Sequence, residues 1–390
     1  MIVAGVMSGT SADGINVALL GIEGPLPHPP RRPYGHDFRV KLLGHAEYPY
    51  PRKVRNFILS AMNSTSTAVA DLARLNFLLP ELYAEAVLQA ERRFHRKAEL
   101  VGCHGQTLYH QGKASVFLGR RLSVTWQSGD GSVLALRLGV PVVSDFRPAD
   151  MAVGGQGAPL VPLFDFFFYR DSRRGRILQN LGGIANLTAI PPAASPEQVL
   201  AFDTGPGNMV IDAVTERLFR RPYDRDGQIA AKGTVLGRIV TQALREPFFR
   251  RKPPKTAGRE EFGRDFVRAF LGRCGGSSAW DIVATATALT AQSIGHALRR
   301  FVVREPGQYR DYIVSGGGTR NSTLMAMLAE QVLSLGLVIG SSEHFGIPSE
   351  AKEAAAFAFL AYQTWNHRPS NLPSATGASR PAVLGKISYA

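Results

Sequence analysis

Short apolar runs that end at glycine-rich turns recur along this chain. Ile2–Met7 is apolar, the string SGTSADG is rich in turn residues, and Ile15–Leu20 is apolar again, which predicts a β-hairpin. Helical periodicity, capping residues and further short apolar runs then predict, in order, a strand near Phe38–Tyr48, a helix from about Ala68 to Arg96, a strand at Leu100–Cys103 that stops at HGQT, a helix near Ser132–Leu138 and a strand at Val142–Ser144.

The second half of the chain repeats this order. It predicts strands at Arg176–Leu181, Ile184–Ile190, Val199–Phe202, Tyr312–Ser315 and Leu337–Ile339, and helices at about Asn208–Phe219, Asp281–Val303, Ser322–Leu335 and Pro348–Trp365. The third strand is expected to stop at Asp203. The pattern therefore predicts an α/β protein with two duplicated βββαβα domains that face a central cleft.

A duplicated order sets the expected domain boundaries. Residues 1–145 form the predicted first domain and residues 146–369 the second, while residues 370–390 are expected to pack back on the first. Within the second domain, residues 221–264 are predicted to be an insertion loop with short helices. The aromatic run FDFFFYR (Phe164–Arg170) is expected to belong to the core.

The formal charge of +14 raises the question of a nucleic-acid partner. The arginines are scattered in pairs, and no zinc-finger, RNP or basic-zipper pattern occurs, so we expect no nucleic-acid partner. Cys103 and Cys274, the two cysteines, give neither a disulfide framework nor zinc-ligand spacing. No apolar run reaches about 18 residues, and the N-terminal residues lack the basic region of a signal peptide. We expect a cytoplasmic protein without a membrane partner.

The glycine-rich turns suggest an anion site. Free N–H groups at hairpin tips and at helix N-termini bind phosphate, although a glycine is often needed only to make the turn. Neither the pattern G-x-x-x-x-G-K-[ST] nor a complete G-x-G-x-x-G occurs, so neither a P-loop nor a Rossmann fingerprint is present.

Eight strings, in order, resemble the 1,6-anhydro-N-acetylmuramic acid kinases, which belong to the superfamily of actin, hexokinase and heat-shock-protein ATPases. They are VMSGTSADGINVALL, CHGQTLYH, SDFRPADMAVGGQGAPLVP, QNLGGIANLT, FDTGPGNMVIDA, KTAGREEF, VSGGGTRNSTLM and IPSEAKEAAAFAFLAY, and the likeness runs from residue 2 to about residue 365. The resemblance implies ATP and Mg²⁺ as cofactors and a bridged peptidoglycan sugar as substrate. ATP phosphorylates O6 while water attacks the anomeric carbon and opens the 1,6-anhydro bridge.

The resemblance also assigns roles to residues. It implies that Asp203, Arg147 and Glu353 are catalytic and that Asp203 and Glu353 position the metal through phosphate and water. The implied ATP-binding residues are Gly9, Thr10, Ser11, Ala12, Asp13, Gly14, Ile15, Asn16, Gly182, Gly183, Asn186, Gly205, Gly207, Gly316 and Gly317. The implied substrate-binding residues are Asp13, Gln127, Arg147, Gly155 and Glu353. Relatives usually have aspartate where this chain has Asn16.

Each of these residues also has a structural alternative. Asp203 is a candidate N-cap of the following helix, and Arg147 a candidate ion-pair partner of Asp150 or Asp145. Glu353 fits a solvated helix surface. Cys103 is expected to be a core thiol, because neighbouring strand residues such as Cys103 and His104 point to opposite faces. His104 is either a loop brace or a hydrogen-bonding residue of the cleft.

Two other functions remain open at this point. A kinase of another 1,6-anhydro sugar, such as levoglucosan, shares most of the strings, but Gly155 in GGQG favours the muramic substrate because it leaves room for the acetyl group. An ATPase of the actin type that acts on no sugar is the second alternative. A homodimer is compatible with the family.

Overall fold

The structure is a computed structural model that describes residues 1–9, 11–24 and 39–390. The strands, in chain order, are β1 (Ile2–Ser8), β2 (Gly14–Glu23), β3 (Arg39–Pro49), β4 (Leu100–Phe117), β5 (Arg120–Ser128), β6 (Val142–Ser144), β7 (Arg176–Leu181), β8 (Ile184–Ile190), β9 (Leu200–Pro206), β10 (Asp311–Ser315), β11 (Val338–Ser341) and β12 (Lys386–Ser388).

The α-helices lie between these strands and after them. They are α1 (Arg52–Asn63), α2 (Val69–Phe94), α3 (Gly131–Leu138), α4 (Phe146–Ala152), α5 (Val161–Tyr169), α6 (Asn208–Phe219), α7 (Gly237–Ala243), α8 (Pro247–Arg250), α9 (Arg259–Phe262), α10 (Arg264–Arg273), α11 (Ala279–Ala297), α12 (Ser322–Leu333), α13 (Lys352–Trp365) and α14 (Pro373–Thr376).

The two sheets repeat one topology. In the first, β6, β4 and β1 are parallel, and β2 and β3 continue antiparallel. In the second, β11, β10 and β7 are parallel, and β8 and β9 continue antiparallel. This confirms the predicted duplication of strand order and the α/β class. In the first sheet β5 also pairs with β4, and β12 pairs antiparallel with β6.

The chain divides into two compact units, of which the first contains residues 1–168 and 346–390 and the second residues 169–345. This division corrects the predicted boundaries, which placed residues 146–168 and 346–369 in the second domain. Helix α13 belongs to the first unit because Gly5 and Gly102 lack side chains. A Cβ on Gly5 would lie 1.8 Å from the Ala354 carbonyl oxygen, and one on Gly102 would lie 2.2 Å from that of Phe357. The helix therefore lies directly on β1 and β4.

The aromatic run belongs to the core, as predicted. Phe164, Phe166 and Tyr169 are buried on α5, and the Phe164 ring packs 5.8 Å from that of Phe359 on α13. The insertion at 221–264 contains the expected short helices α7, α8 and α9. The C-terminal residues return to the first unit as β12.

Two strand ends differ from the prediction. Strand β4 passes through HGQT and forms a hairpin with β5, because Gly105 adopts a left-handed φ of +74° and Gln106 still pairs with Ser128. Strand β9 does not stop at Asp203. Gly205 and Pro206 continue its pairing with β8.

Candidate active site

A row of polar side chains crosses the sheet of the second unit. Asp203 on β9 lies opposite Asn186 on β8, which in turn lies opposite Asn180 on β7. Directly opposed residues of neighbouring strands project from the same face of a sheet. The sequence assigned Asp203 and Asn186 to the site but did not identify Asn180.

Asp203 does not cap a helix. Helix α6 begins after Gly207 without a side-chain cap, and the Asp203 carboxylate instead accepts a hydrogen bond from the Ala257 N–H at 2.6 Å. The Asp203 N–H donates to the Lys255 carbonyl at 3.0 Å. The KTAGREEF string thus lies along β9 at the catalytic candidate, which corrects the interpretation of Asp203 as an N-cap.

The environment of Asp203 favours the protonated form. Burial raises the pKa of its carboxyl to about 7, although the Ala257 hydrogen bond and the positive charge of Lys255 act in the opposite direction. No helix N-terminus offsets this effect, since residues 204–207 separate Asp203 from α6. A pKa near neutrality suits a general base.

Lys255, whose carbonyl accepts the Asp203 N–H, was not among the residues predicted from the sequence. Its ammonium is buried, donates to the Phe248 carbonyl at 3.1 Å and lies 4.4 Å from the centroid of the Phe248 ring. The rings of Phe202 and Phe301 lie within 6 Å of the same atom, at 5.7 and 5.1 Å. Burial lowers the pKa of Lys255 to about 8. Its place as the first residue of the family string KTAGREEF was the sequence signal that could have identified it.

Two glycines of the FDTGPGN string are required by packing. A Cβ on Gly205 would lie 2.6 Å from Ser293 Oγ, and one on Gly207 would lie 2.1 Å from the Gly182 carbonyl oxygen. The carbonyls of Gly182 and Gly183 accept the N–H groups of residues 207–209, so the turn between β7 and β8 satisfies the start of α6. Packing within the protein therefore explains why Gly205 and Gly207 lack side chains, without any contact to a phosphate group.

Other candidate glycines are open. Among the described residues, a Cβ on Gly317 would meet no atom within 4 Å, and the nearest atom would lie 3.8 Å away at both Gly9 and Gly183. Gly316 has a φ of +92° and begins the turn after β10. The protein itself does not exclude a side chain at Gly9, Gly183 or Gly317. A substitution at these positions therefore tests whether a ligand contacts the backbone there.

The turn between β1 and β2 holds the remaining ATP-binding candidates. Ala12 has a φ of +52°, Asp13 forms an exposed ion pair with Arg55 at 3.0 Å, and Asn16 Oδ1 lies 3.0 Å from His45 Nε2. A Cβ on Gly14 would clash with the Tyr48 carbonyl oxygen at 2.5 Å. Ser11 is exposed, Ile15 belongs to the core, and Thr10 lies outside the described residues.

Arg147 is held by neutral groups. Its Nε and Nη2 donate to His104 Nε2 at 3.1 and 2.8 Å, and its Nη1 donates to the Gly157 carbonyl at 2.7 Å. The Asp150 carboxylate accepts instead from the Gly157 N–H, Asn371 and Thr376. The alternative of a direct Arg147–Asp150 pair was therefore wrong.

The Asp150 carboxylate also requires a glycine at position 155, because a Cβ there would lie 2.1 Å from Asp150 Oδ2. Gln127 of β5 lies in the first unit as well, and its Nε2 donates to Thr107 and Thr125. The buried Gln127 Oε1 has no hydrogen-bond partner among the residues that the structure describes. An unpaired buried acceptor costs about 1–3 kcal/mol, which a ligand donor at Gln127 Oε1 would offset.

Glu353 lies in the first turn of α13. The residue is exposed to solvent, yet the surrounding protein raises the pKa of its carboxyl, while Arg147 and Lys352 lower it. Lys352 is itself paired with the buried Asp165 at 2.9 Å. The exposure of Glu353 agrees with the alternative of a solvated position, whereas the following residues of α13, from Ala354 to Thr364, are buried.

The described parts of the chain contain no group of three or more His, Cys, Asp or Glu side chains that could hold a metal ion. Among the same residues, no helix has the length and apolarity needed to cross a membrane. The Cys103 thiol is buried, and burial raises its pKa to about 12, which agrees with a core role.

Two sheets with the same strand order, glycine turns and a half-buried strand carboxyl define a duplicated α/β protein of two compact units. The chain belongs to the anhydro-N-acetylmuramic acid kinase family, whose model matches residues 1–390. An "Anhydro-N-acetylmuramic acid kinase" of Bacillus cereus is 43% identical over 392 residues, which cover 100% of this chain and 99% of that protein. The protein of the same name from Bacillus thuringiensis subsp. konkukian is also 43% identical over 392 residues, with the same coverage.

Solved structures are more distant. Component A of the (R)-2-hydroxyglutaryl-CoA dehydratase of Acidaminococcus fermentans has a TM-score of 0.42 at 13% identity and covers 93% of this chain and 98% of its own. The ROK hexokinase of Thermus thermophilus has a TM-score of 0.38 at 12% identity and covers 92% of this chain and 99% of its own.

Proposed function

We propose that this protein is an ATP-dependent kinase that opens 1,6-anhydro-N-acetylmuramic acid and phosphorylates O6, giving N-acetylmuramic acid 6-phosphate during cell-wall recycling in the cytoplasm. Family membership over the whole chain supports this proposal. The structural observation that supports it is Asp203, a strand carboxyl opposite Asn186 that is oriented by the Ala257 N–H at 2.6 Å and whose pKa burial raises to about 7.

In this proposal Asp203 is the general base. Water adds to the anomeric carbon, the bond from that carbon to O6 breaks, and O6 takes the γ-phosphoryl group of ATP as ADP leaves. Asp203 accepts the proton that the attacking water loses. The Ala257 N–H on Oδ2 fixes the orientation of the carboxylate, which leaves Oδ1 for the water.

The sugar is assigned to side chains of the first unit. Arg147 has donors for anionic or ring oxygens, and Gln127 Oε1 is an acceptor for an N–H or O–H group. Glu353 and Asp13 are further substrate candidates. Gly155 belongs to the same part of the unit, where the Asp150 carboxylate excludes a larger residue.

ATP is assigned to the turns. Gly9 to Asn16 and Gly182, Gly183, Asn186, Gly205, Gly207, Gly316 and Gly317 remain the proposed ATP-binding residues. Gly9, Gly183 and Gly317 are the best supported, since no described residue would approach a Cβ there more closely than 3.8 Å.

Magnesium fits this site only as an ion held mainly by phosphate and water. No cluster of carboxylates was found among the described residues, and kinases commonly bind Mg²⁺ through substrate phosphates with few protein ligands. When bound with ATP, the ion neutralises charge on the phosphates. Asp203 and Glu353 would then act on it through water.

The test is ATP consumption with and without 1,6-anhydro-N-acetylmuramic acid, with levoglucosan in a parallel assay. We expect sugar-dependent ADP release and one phosphate on O6 for the muramic sugar, and a much lower rate for levoglucosan. Equal rates without sugar would support an ATPase of another kind, and faster turnover of levoglucosan would change the substrate.

A further inference from the structure

The contacts of Arg147 contain no direct counter-charge. Three of its five N–H groups donate, two of them to His104 Nε2 and one to the Gly157 carbonyl, so two N–H groups remain for a ligand. No carboxylate of the described residues lies within ion-pair distance of the guanidinium. A partly buried guanidinium usually has a carboxylate partner, because isolated charge is costly away from water.

His104 is neutral in this arrangement for geometric reasons. Its Nδ1 lies 2.8 Å from the Gly105 carbonyl oxygen, which can only accept, so Nδ1 carries the proton. Its Nε2 must then be the unprotonated nitrogen, which accepts both hydrogen bonds from Arg147. The ring is buried and lies 4.6 Å from that of Phe357. Burial and the charge of Arg147 both lower the pKa of His104, in agreement with this tautomer.

The charged groups around Arg147 do not replace a partner. Asp150 of α4 already accepts three hydrogen bonds, from the Gly157 N–H, Asn371 and Thr376. Glu353 of α13 and His110 of β4 interact with Arg147 only at longer range. The guanidinium is therefore oriented by neutral acceptors while its charge is not neutralised by contact.

A carboxylate at position 104 would orient Arg147 equally well but would also cancel its charge. We propose that His104 is a specificity-determining positioning residue, which holds Arg147 with a neutral acceptor so that the guanidinium remains free to bind the carboxylate of an acidic sugar. The inference deepens the proposed function, on which it rests. In the muramic substrate the carboxylate belongs to the lactyl group, and an arginine with two free N–H groups can bind it with strong charge-assisted hydrogen bonds.

The test compares two substitutions on two sugars. His104→Gln keeps a neutral acceptor, whereas His104→Glu supplies an anionic one. The sugars are 1,6-anhydro-N-acetylmuramic acid and 1,6-anhydro-N-acetylglucosamine, which lacks the lactyl ether and its carboxylate. We expect His104→Glu to lower kcat/KM for the acidic sugar about 10–100-fold more than for the neutral sugar, a difference the size of one charge-assisted contact. His104→Gln should keep the preference for the acidic sugar, and neither variant should alter KM for ATP.

The ratio of the two sugars separates this role from a structural one. A loss of folded protein lowers both rates together and leaves their ratio unchanged, so an unchanged ratio in a folded His104→Glu variant overturns the proposal. A wild-type protein that binds both sugars equally by calorimetry overturns it as well. Absence of sugar-dependent ATP consumption in the wild type would instead remove the proposed function, while calorimetry could still test sugar preference.

A measurement on the unmodified protein covers the case in which the variants do not fold. Nitrogen-15 NMR of the His104 ring at neutral pH should show a protonated Nδ1 and an unprotonated Nε2. A doubly protonated ring, or the opposite tautomer, would contradict the arrangement from which the inference is drawn.

Discussion

Replacing Asp203 by asparagine should lower activity and raise stability at the same time. The substitution keeps the size of the side chain and an oxygen that can accept from the Ala257 N–H. It removes the carboxylate. If Asp203 is the general base, turnover should fall by about 10²–10⁴-fold while the KM values for ATP and sugar change little.

The effect on stability follows from the pKa of Asp203. Burial raises this pKa from 3.8 to about 7. Between these values the native state keeps a proton that the unfolded chain has lost, so stability decreases as pH rises through that interval and is constant above it. Three pKa units correspond to at most about 4 kcal/mol. Solvent access to the partly exposed residue reduces this, and we expect about 1–3 kcal/mol.

The assay is denaturant unfolding of wild type and Asp203→Asn at pH 4.5 and pH 8, together with sugar-phosphate formation. Asp203→Asn should be more stable than wild type at pH 8, and the difference should shrink at pH 4.5. Asp203→Ala is the control. It leaves the Ala257 N–H without its acceptor and should cost about 1–3 kcal/mol instead. Near wild-type turnover, or a stability difference that does not vary with pH, would refute the reasoning.

Three further expectations test other parts of the site. Gly317→Ala should raise KM for ATP about tenfold without loss of melting temperature, because its Cβ meets no atom of the described residues within 4 Å. Gly272→Ala, which is equally open on α10, should leave KM for ATP unchanged, and equal KM values in both variants would exclude close nucleotide contact at Gly317. Lys255→Met should shift the acidic limb of the kcat/KM profile to higher pH, since the Lys255 charge lowers the pKa of Asp203; an unshifted limb would mean that the charge is screened. Cys103 should not react with a thiol reagent in the native protein because burial raises its pKa to about 12, and rapid labelling followed by peptide mapping to Cys103 would contradict this.

Local sequence pattern was sufficient for much of the fold. The bounds of β6, β7, β8 and α6 agree with the prediction, because each is a short apolar or amphipathic segment between clear turn residues. The β4–β5 hairpin was not predicted, since its outer positions are largely polar and exposed and its pairing is irregular near Thr107 and Gln111. Such a segment resembles a loop until its partner strand is known.

Long-range contacts account for what the sequence did not reveal in the site. The carboxylate of Asp203 is oriented by Ala257, which is 54 positions away, and Arg147 by His104, which is 43 positions away. Helix α13 packs against β1 although most of the chain separates the two in sequence. No periodicity encodes these contacts, so the family strings identified the residues without their partners.

The opposing influences on Asp203 explain how a carboxyl within a strand could serve as the proposed general base. A carboxyl at a helix start would be stabilised as an anion and would be a weak base, whereas a carboxyl buried without donors would stay protonated at working pH. Asp203 lies between these limits, because burial raises its pKa while the Ala257 N–H and the Lys255 charge lower it. Both opposing groups come from one segment of the insertion. The position of that segment against β9 therefore sets the basicity of Asp203, and a change that displaces it should alter the rate before it alters the fold.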